Sequence, residues 1–169
     1  VGGWMSLSGL ANSAWIFLWH YEQFPLPVLA MLVLLVSLII TYLRLGIGKT
    51  SVPAAERWAV RVPFSIYLGW ITVATVANAT ALLDYLKWDR FGIAPEIWLV
   101  IILAAVLVIA ALMNFTRRDI PYALVILWAL AGIAIKHAAT PVVALSTWIT
   151  FALVALSLAA AFLFKLKKA

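Results

Sequence analysis

The amino-acid sequence predicts an all-α fold, a polytopic membrane helical bundle with about six transmembrane helices. Three observations predict it. Hydrophobic residues fill 67% of the 169 positions and charged residues only 11%, against about 45–50% and about 25% in soluble domains. So little polar surface cannot wrap an apolar core in water. The apolar residues fall into long runs, several near the ~20 residues needed to cross a bilayer. No run alternates polar and apolar residues as barrel strands do, and helices satisfy their own backbone groups in hydrocarbon.

Six hydrophobic segments follow, at residues 3–20, 26–43, 63–84, 97–114, 120–136 and 141–164. Pro25 and Pro27, after His20-Tyr-Glu-Gln23, mark a tight turn and the restart of the chain as a second helix. Gly46 and Gly48 close that helix and open the longest loop. Pro63 suits the first turn of the third helix, where a missing N–H costs nothing. Asp119–Pro121 and Thr140–Pro141 read as the starts of the fifth and sixth helices. The short connections leave no room for a soluble module, so residues 1–169 are expected to form one transmembrane domain.

The charges order the two sides. One side would hold Arg44, Lys49, Arg57, Arg61, Arg117, Arg118, Lys165, Lys167 and Lys168; the other would hold Lys87, Arg90 and Lys136. This asymmetry places both ends in the cytoplasm by the positive-inside rule, with the tail Phe164–Lys168 stopping at an anionic leaflet surface. The net charge of +6 is therefore a membrane-flanking signal, and nucleic acid is not an expected partner. The expected localisation is that of an integral membrane protein, in a bacterial or archaeal plasma membrane. The first residue is Val and the first helix starts abruptly, so the chain is expected to lack an original N-terminal portion.

Several chemistries have no residues to carry them. Cysteine is absent, which removes disulfides, thiolate nucleophiles and Cys-ligated metals. There is no phosphate-binding loop, dinucleotide fingerprint or zinc motif. No carboxylate lies in the middle of a span, which argues against ion coupling through an intramembrane acid. His20 and Glu22 are not on one helix face, and His20 reads as an interfacial side chain. Arg57 and Arg61, one turn apart, read as headgroup contacts that would also attract a propionate or phosphate. Asn114 reads as a C-cap or a helix contact. No enzyme class is assigned, and no metal site is expected.

Trp4, Trp58, Trp88 and Trp98 lie near segment ends, as interfacial anchors do. Two helices carry a more specific pattern. In the first, Ser8, Asn12, Trp15 and Trp19 recur at helical spacing; in the third, Pro63, Tyr67, Trp70, Ala74 and Asn78 do the same. An asparagine amide in hydrocarbon needs partners, so both stripes should face protein. Two readings follow. In one, the asparagines tie helices together, with Ala74 permitting close approach. In the other, Asn12 and Asn78 floor a pocket walled by Trp15, Tyr67 and Trp70, suited to a flat apolar ligand.

The segment Arg61-Val-Pro-Phe-Ser-Ile-Tyr-Leu-Gly-Trp-Ile-Thr-Val-Ala-Thr-Val-Ala-Asn-Ala-Thr-Ala-Leu-Leu83 resembles the fifth transmembrane helix of the TspO/MBR family, the tryptophan-rich sensory proteins. Pro63, Trp70, Ala74 and Asn78 match that family's proline, tryptophan, alanine and asparagine. Phe64 stands where tyrosine is usual, and Tyr67 lies one turn on. Leu10-Ala-Asn-Ser-Ala-Trp15 resembles the family's third helix through Asn12 and Trp15, which makes segment 26–43 the fourth. The resemblance spans residues 4–84, with 97–164 as three additional helices. The family's proline-rich loop and second-helix Trp-x-x-Leu-Tyr motif are not present.

The resemblance implies a membrane binding or sensory protein for a planar apolar ligand such as a tetrapyrrole, porphyrin being the type. Asn12, Trp15, Tyr67, Trp70 and Asn78 would be its ligand-binding residues. The expected partners are membrane lipids and that hydrophobic small molecule, with a homo-oligomer as a further option. The alternative is a structural or transport subunit without a dedicated tetrapyrrole site.

Overall fold

The computed structural model describes residues 2–166, with side chains through residue 163. The expected Phe164–Lys168 stop at the leaflet surface lies outside the described side chains. Six long helices form: α1 (Gly2–His20), α2 (Leu26–Arg44), α3 (Val62–Tyr85), α4 (Pro95–Arg117), α5 (Ile120–Lys136) and α6 (Pro141–Leu166). Proline occupies the first turn of α2, α3, α4 and α5 and opens α6. At these positions its fixed φ suits the helix and its missing N–H leaves no bond unmade. Asp119 caps α5 by accepting the Tyr122 backbone N–H at 3.3 Å.

The expectation of six spans holds clearly for four. Among the described residues, Leu26–Arg44, Ala54–Tyr85, Pro95–Arg117 and Pro141–Leu163 are long and apolar enough to cross a membrane. The α5 helix is apolar but has 17 residues, short of the usual span. The α1 helix has 19 residues, but its serines, glycines and Asn12 dilute its apolar character.

A second correction concerns the loop expected over residues 44–61. Its latter part is helical. A short turn at Ala54–Glu56 passes through one wide, π-type turn at Arg57–Arg61 and runs into α3. No apolar periodicity announces these residues; their order comes from Arg61.

The chain divides into two compact units, Val1–Trp88 and Asp89–Ala169. In the first, α2 is the central helix and packs on both α1 and α3. Its packed stripe runs Pro27, Met31, Leu34, Leu38, Thr41 and Tyr42, all buried, at the 3–4 residue spacing of one helix face. In the second, α6 is central, against α4 and α5. Thr147, Thr150, Val154 and Ala161 are its buried positions. Leu103, Ala110 and Asn114 of α4, and Tyr122, Ala123, Ile126, Leu130 and Ala134 of α5, complete that core.

Candidate functional site

The predicted stripes of α1 and α3 meet at one point. The Trp15 indole Nε1–H donates to Asn78 Oδ1 at 2.8 Å. The other half of the same amide, Nδ2, donates to the Ala74 carbonyl one turn back at 2.9 Å. Asn78 is buried, at 4% exposure. Both ends of its amide are therefore satisfied, which removes the penalty of a bare amide in hydrocarbon.

An aromatic ladder continues from this bond. Trp15 stacks on Trp19, with centroids 6.0 Å apart and planes at 30°. Trp19 meets the edge of Phe24 at 5.5 Å and 77°. Phe24 in turn stacks on Tyr85, at 5.0 Å and 28°. Offset stacks and edge contacts at such separations are the favoured aromatic geometries. The ladder thus runs from α1, through the turn before α2, to the last residue of α3. Phe24 and Tyr85 are members that sequence reasoning missed. Neither lies on a predicted stripe, and only the proximity of Phe24 to Pro25 hinted at an ordered turn.

The other predicted site residues fall at graded depths. Asn12 and Tyr67 are half-buried, and Trp70 is 47% exposed. Helix geometry explains the gradient along α3. At about 100° per residue, Trp70 and Asn78 lie about 80° apart around the axis. The stripe therefore spans an arc, with Pro63 and Trp70 at its outer edge and Asn78 at its inner edge. On α1 the packed face is offset from the predicted one by a residue. Ser8 and Ala11 are buried, Asn12, Trp15 and Leu18 are half-buried, and Trp19 is exposed. The predicted stripe and the packed face share Ser8, Asn12 and Trp15, and Trp19 falls outside.

Arg61 corrects the headgroup reading of the arginine pair. It is 8% exposed, and its guanidinium is occupied within the protein. Nη1 donates to the Thr50 carbonyl at 2.7 Å, Nη2 to Thr50 Oγ1 at 2.9 Å and Nε to Glu56 Oε1 at 3.3 Å. The planar fork suits this set of fixed acceptors. Gly46, at φ +61°, lets the loop turn back on Thr50; a Cβ there would lie 2.9 Å from Thr50 Oγ1. Arg57 is exposed.

In the second unit Asn114 makes a helix contact, one of its two predicted roles. Nδ2 donates to Ser157 Oγ at 2.8 Å, while the buried Oδ1 has no hydrogen-bond partner. Arg118, in the left-handed region at φ 52°, ends α4 and donates from Nε to the Ala161 carbonyl at 3.0 Å. Among the described residues no group of three or more His, Asp or Glu side chains is placed to hold a metal.

A surface concavity of about 340 Å³ is lined by Gly3, Trp4, Leu7 and Arg44. It lies away from the Trp15–Asn78 bond, toward the start of α1 and the end of α2.

A family model described as TSPO-like protein matches residues 1–160. The match continues past residue 84 across α4 and α5 and into α6, which the resemblance of residues 4–84 did not include. No curated protein and no solved structure matches the chain.

Proposed function

Because the chain belongs to the TSPO-like protein family, we propose that it is a membrane-embedded binding or sensory protein for a planar apolar ligand, with tetrapyrroles such as protoporphyrin as the leading class. The observation that carries this reading is the Trp15–Asn78 bond, which brings the two Trp/Asn stripes to one place. In this reading Asn78 and Trp15 brace the wall of the site. Tyr67 and Trp70, less deeply buried, supply ring surface, and Asn12 supplies a polar contact at the margin. Aromatic walls with a few fixed polar groups suit a flat apolar ligand.

The proposal includes the topology. All six helices cross the bilayer, and both ends face the cytoplasm. The cation asymmetry supports this. Labelling of single cysteines placed at Lys49 and Lys87 is expected to find the first on the cytoplasmic side and the second on the opposite side. Finding both on one side would reject it.

Titration of the purified protein with protoporphyrin, followed by quenching of tryptophan fluorescence, tests the ligand class. Saturable binding that weakens in Trp70→Phe and Asn78→Ala is the expected result. The absence of saturable binding by the intact protein would reject the tetrapyrrole assignment. A second reading draws on the same bond. An amide satisfied at both ends is also what a purely structural helix tie requires. That reading predicts loss of stability in Asn78→Ala with no porphyrin binding to lose.

A further inference from the structure

We propose that the concavity at the start of α1 and the end of α2 is a site for the phosphate headgroup of an anionic phospholipid. Three features of the concavity carry this assignment. The first is the state of Arg44. Its guanidinium carbon lies 5.8 Å from the centre of the Trp4 ring, a cation–π geometry. Among the described residues no carboxylate, carbonyl or hydroxyl accepts a hydrogen bond from it. Arg61 and Arg118, by contrast, spend their donors on Thr50, Glu56 and Ala161. Arg44 is thus a planar, always-charged fork, oriented by an aromatic face and still able to donate. A phosphate oxygen pair matches that fork.

The second feature is shape. Gly3 contributes no side chain, and a Cβ there would meet nothing within 4 Å outside its chain neighbours, so the Gly3 side of the concavity is open. The concavity, at about 340 Å³, is large enough for a headgroup. Leu7 completes its lining, and exposed Leu10 follows one turn on. They form an apolar track on which an acyl chain can lie.

The third feature is charge. Lys49 and Arg57 are exposed on the connection that follows α2, so the same end of this unit is cationic. A cationic mouth, an interfacial tryptophan and an apolar track complement an anionic lipid better than a zwitterionic one. The proposal is independent of the tetrapyrrole reading, which concerns other residues of α1 and α3.

The test is competition between phosphatidylglycerol and phosphatidylcholine for the purified protein in mild detergent, counted as retained lipid by native mass spectrometry. The wild type is expected to retain one phosphatidylglycerol in preference to phosphatidylcholine. Arg44→Gln is expected to lower that retention at least tenfold, and Trp4→Leu about threefold. Arg57→Gln removes the same charge outside the concavity and is expected to lose less than the roughly fivefold that a cation near an anionic surface contributes. Arg44→Lys keeps the charge at the end of α2 but loses the fork. It is expected to lose at least threefold, and it reads the site if Arg44→Gln does not fold. Equal losses in Arg44→Gln and Arg57→Gln would reduce the effect to diffuse electrostatics and overturn the proposal. Equal retention of the two lipids, or full retention by Arg44→Lys, would also overturn it. Displacement of the lipid by millimolar inorganic phosphate would make this a free-phosphate site and overturn the lipid assignment.

Discussion

The two three-helix units solve the same problem with different side chains. Each has a central helix with buried hydroxyls that are paired within that helix. In α2, Ser37 donates to the Val33 carbonyl and Thr41 to the Ser37 carbonyl, at 2.7 and 2.9 Å. In α6, Thr147 donates to Val143 and Thr150 to Ser146, again at 2.7 and 2.9 Å. Such small side chains let helices approach closely without leaving a bare hydroxyl in hydrocarbon. Each unit then adds one asparagine tie between helices, and here they diverge. In the first unit the tie is Asn78 to the Trp15 indole, with both ends of the amide satisfied and an aromatic ladder behind it. In the second it is Asn114 to Ser157, with one amide oxygen left unpaired. The comparison predicts that an intramembrane asparagine stabilises more the more completely its amide is met.

The largest effect should come from the buried arginine clamp of the first unit, where one guanidinium meets three acceptors. Arg61→Met removes three hydrogen bonds from a charged group and frees the Thr50 loop. It is expected to cost about 2–3 kcal/mol, measured by reversible unfolding in bicelles. A cost below about 1 kcal/mol would show that the loop is ordered by other contacts.

The sharpest comparison lies between the two asparagines. Asn78→Leu strands the Trp15 indole N–H and is expected to cost about 1–2 kcal/mol. Asn114→Leu removes an amide whose oxygen is already unpaired, so relief of that penalty offsets the lost Ser157 bond. It is expected to change stability by less than about 0.5 kcal/mol. Equal costs for the two variants would break the comparison. Between these lies Gly46→Ala, which places a Cβ against Thr50 Oγ1 in a left-handed backbone. Its expected cost is about 1 kcal/mol, and near-neutrality would show that the Thr50 loop yields.

Much of this was legible in the sequence, for identifiable reasons. Helix starts were readable because Pro27, Pro63, Pro121 and Pro141 stand where helices begin, and apolar runs filled the space between them. The Asn/Trp stripes were readable because periodicity is a local property. Their depth was not. Whether Trp70 or Asn78 faces the core depends on which side of α3 meets α2, and that is decided by packing of α2 residues distant in the chain. Arg61 was misread for a similar reason. Its acceptors, Thr50 in the loop and Glu56 in the short helical turn, give no signal in the sequence until the chain at Gly46 folds Thr50 back. The ladder members Phe24 and Tyr85 lie far apart in the unit's sequence, one in the turn before α2 and one at the end of α3, and no spacing rule links them. Residues 54–61 lack an apolar period, so periodicity did not mark them, although Pro53 and the run of Ala, Glu and Arg that follows favour a helix by propensity.

The central claim is that the two Trp/Asn stripes are coupled through one indole-to-amide hydrogen bond. A double-mutant cycle of Trp15→Phe and Asn78→Leu tests it most directly, read as unfolding free energy in bicelles. Trp15→Phe keeps an aromatic ring for the stack on Trp19 and removes the donor together with part of the ring surface, a loss common to both arms of the cycle that cancels in the coupling. The account predicts a coupling energy of about 0.6–2 kcal/mol. Additive costs, with a coupling near zero, would contradict it.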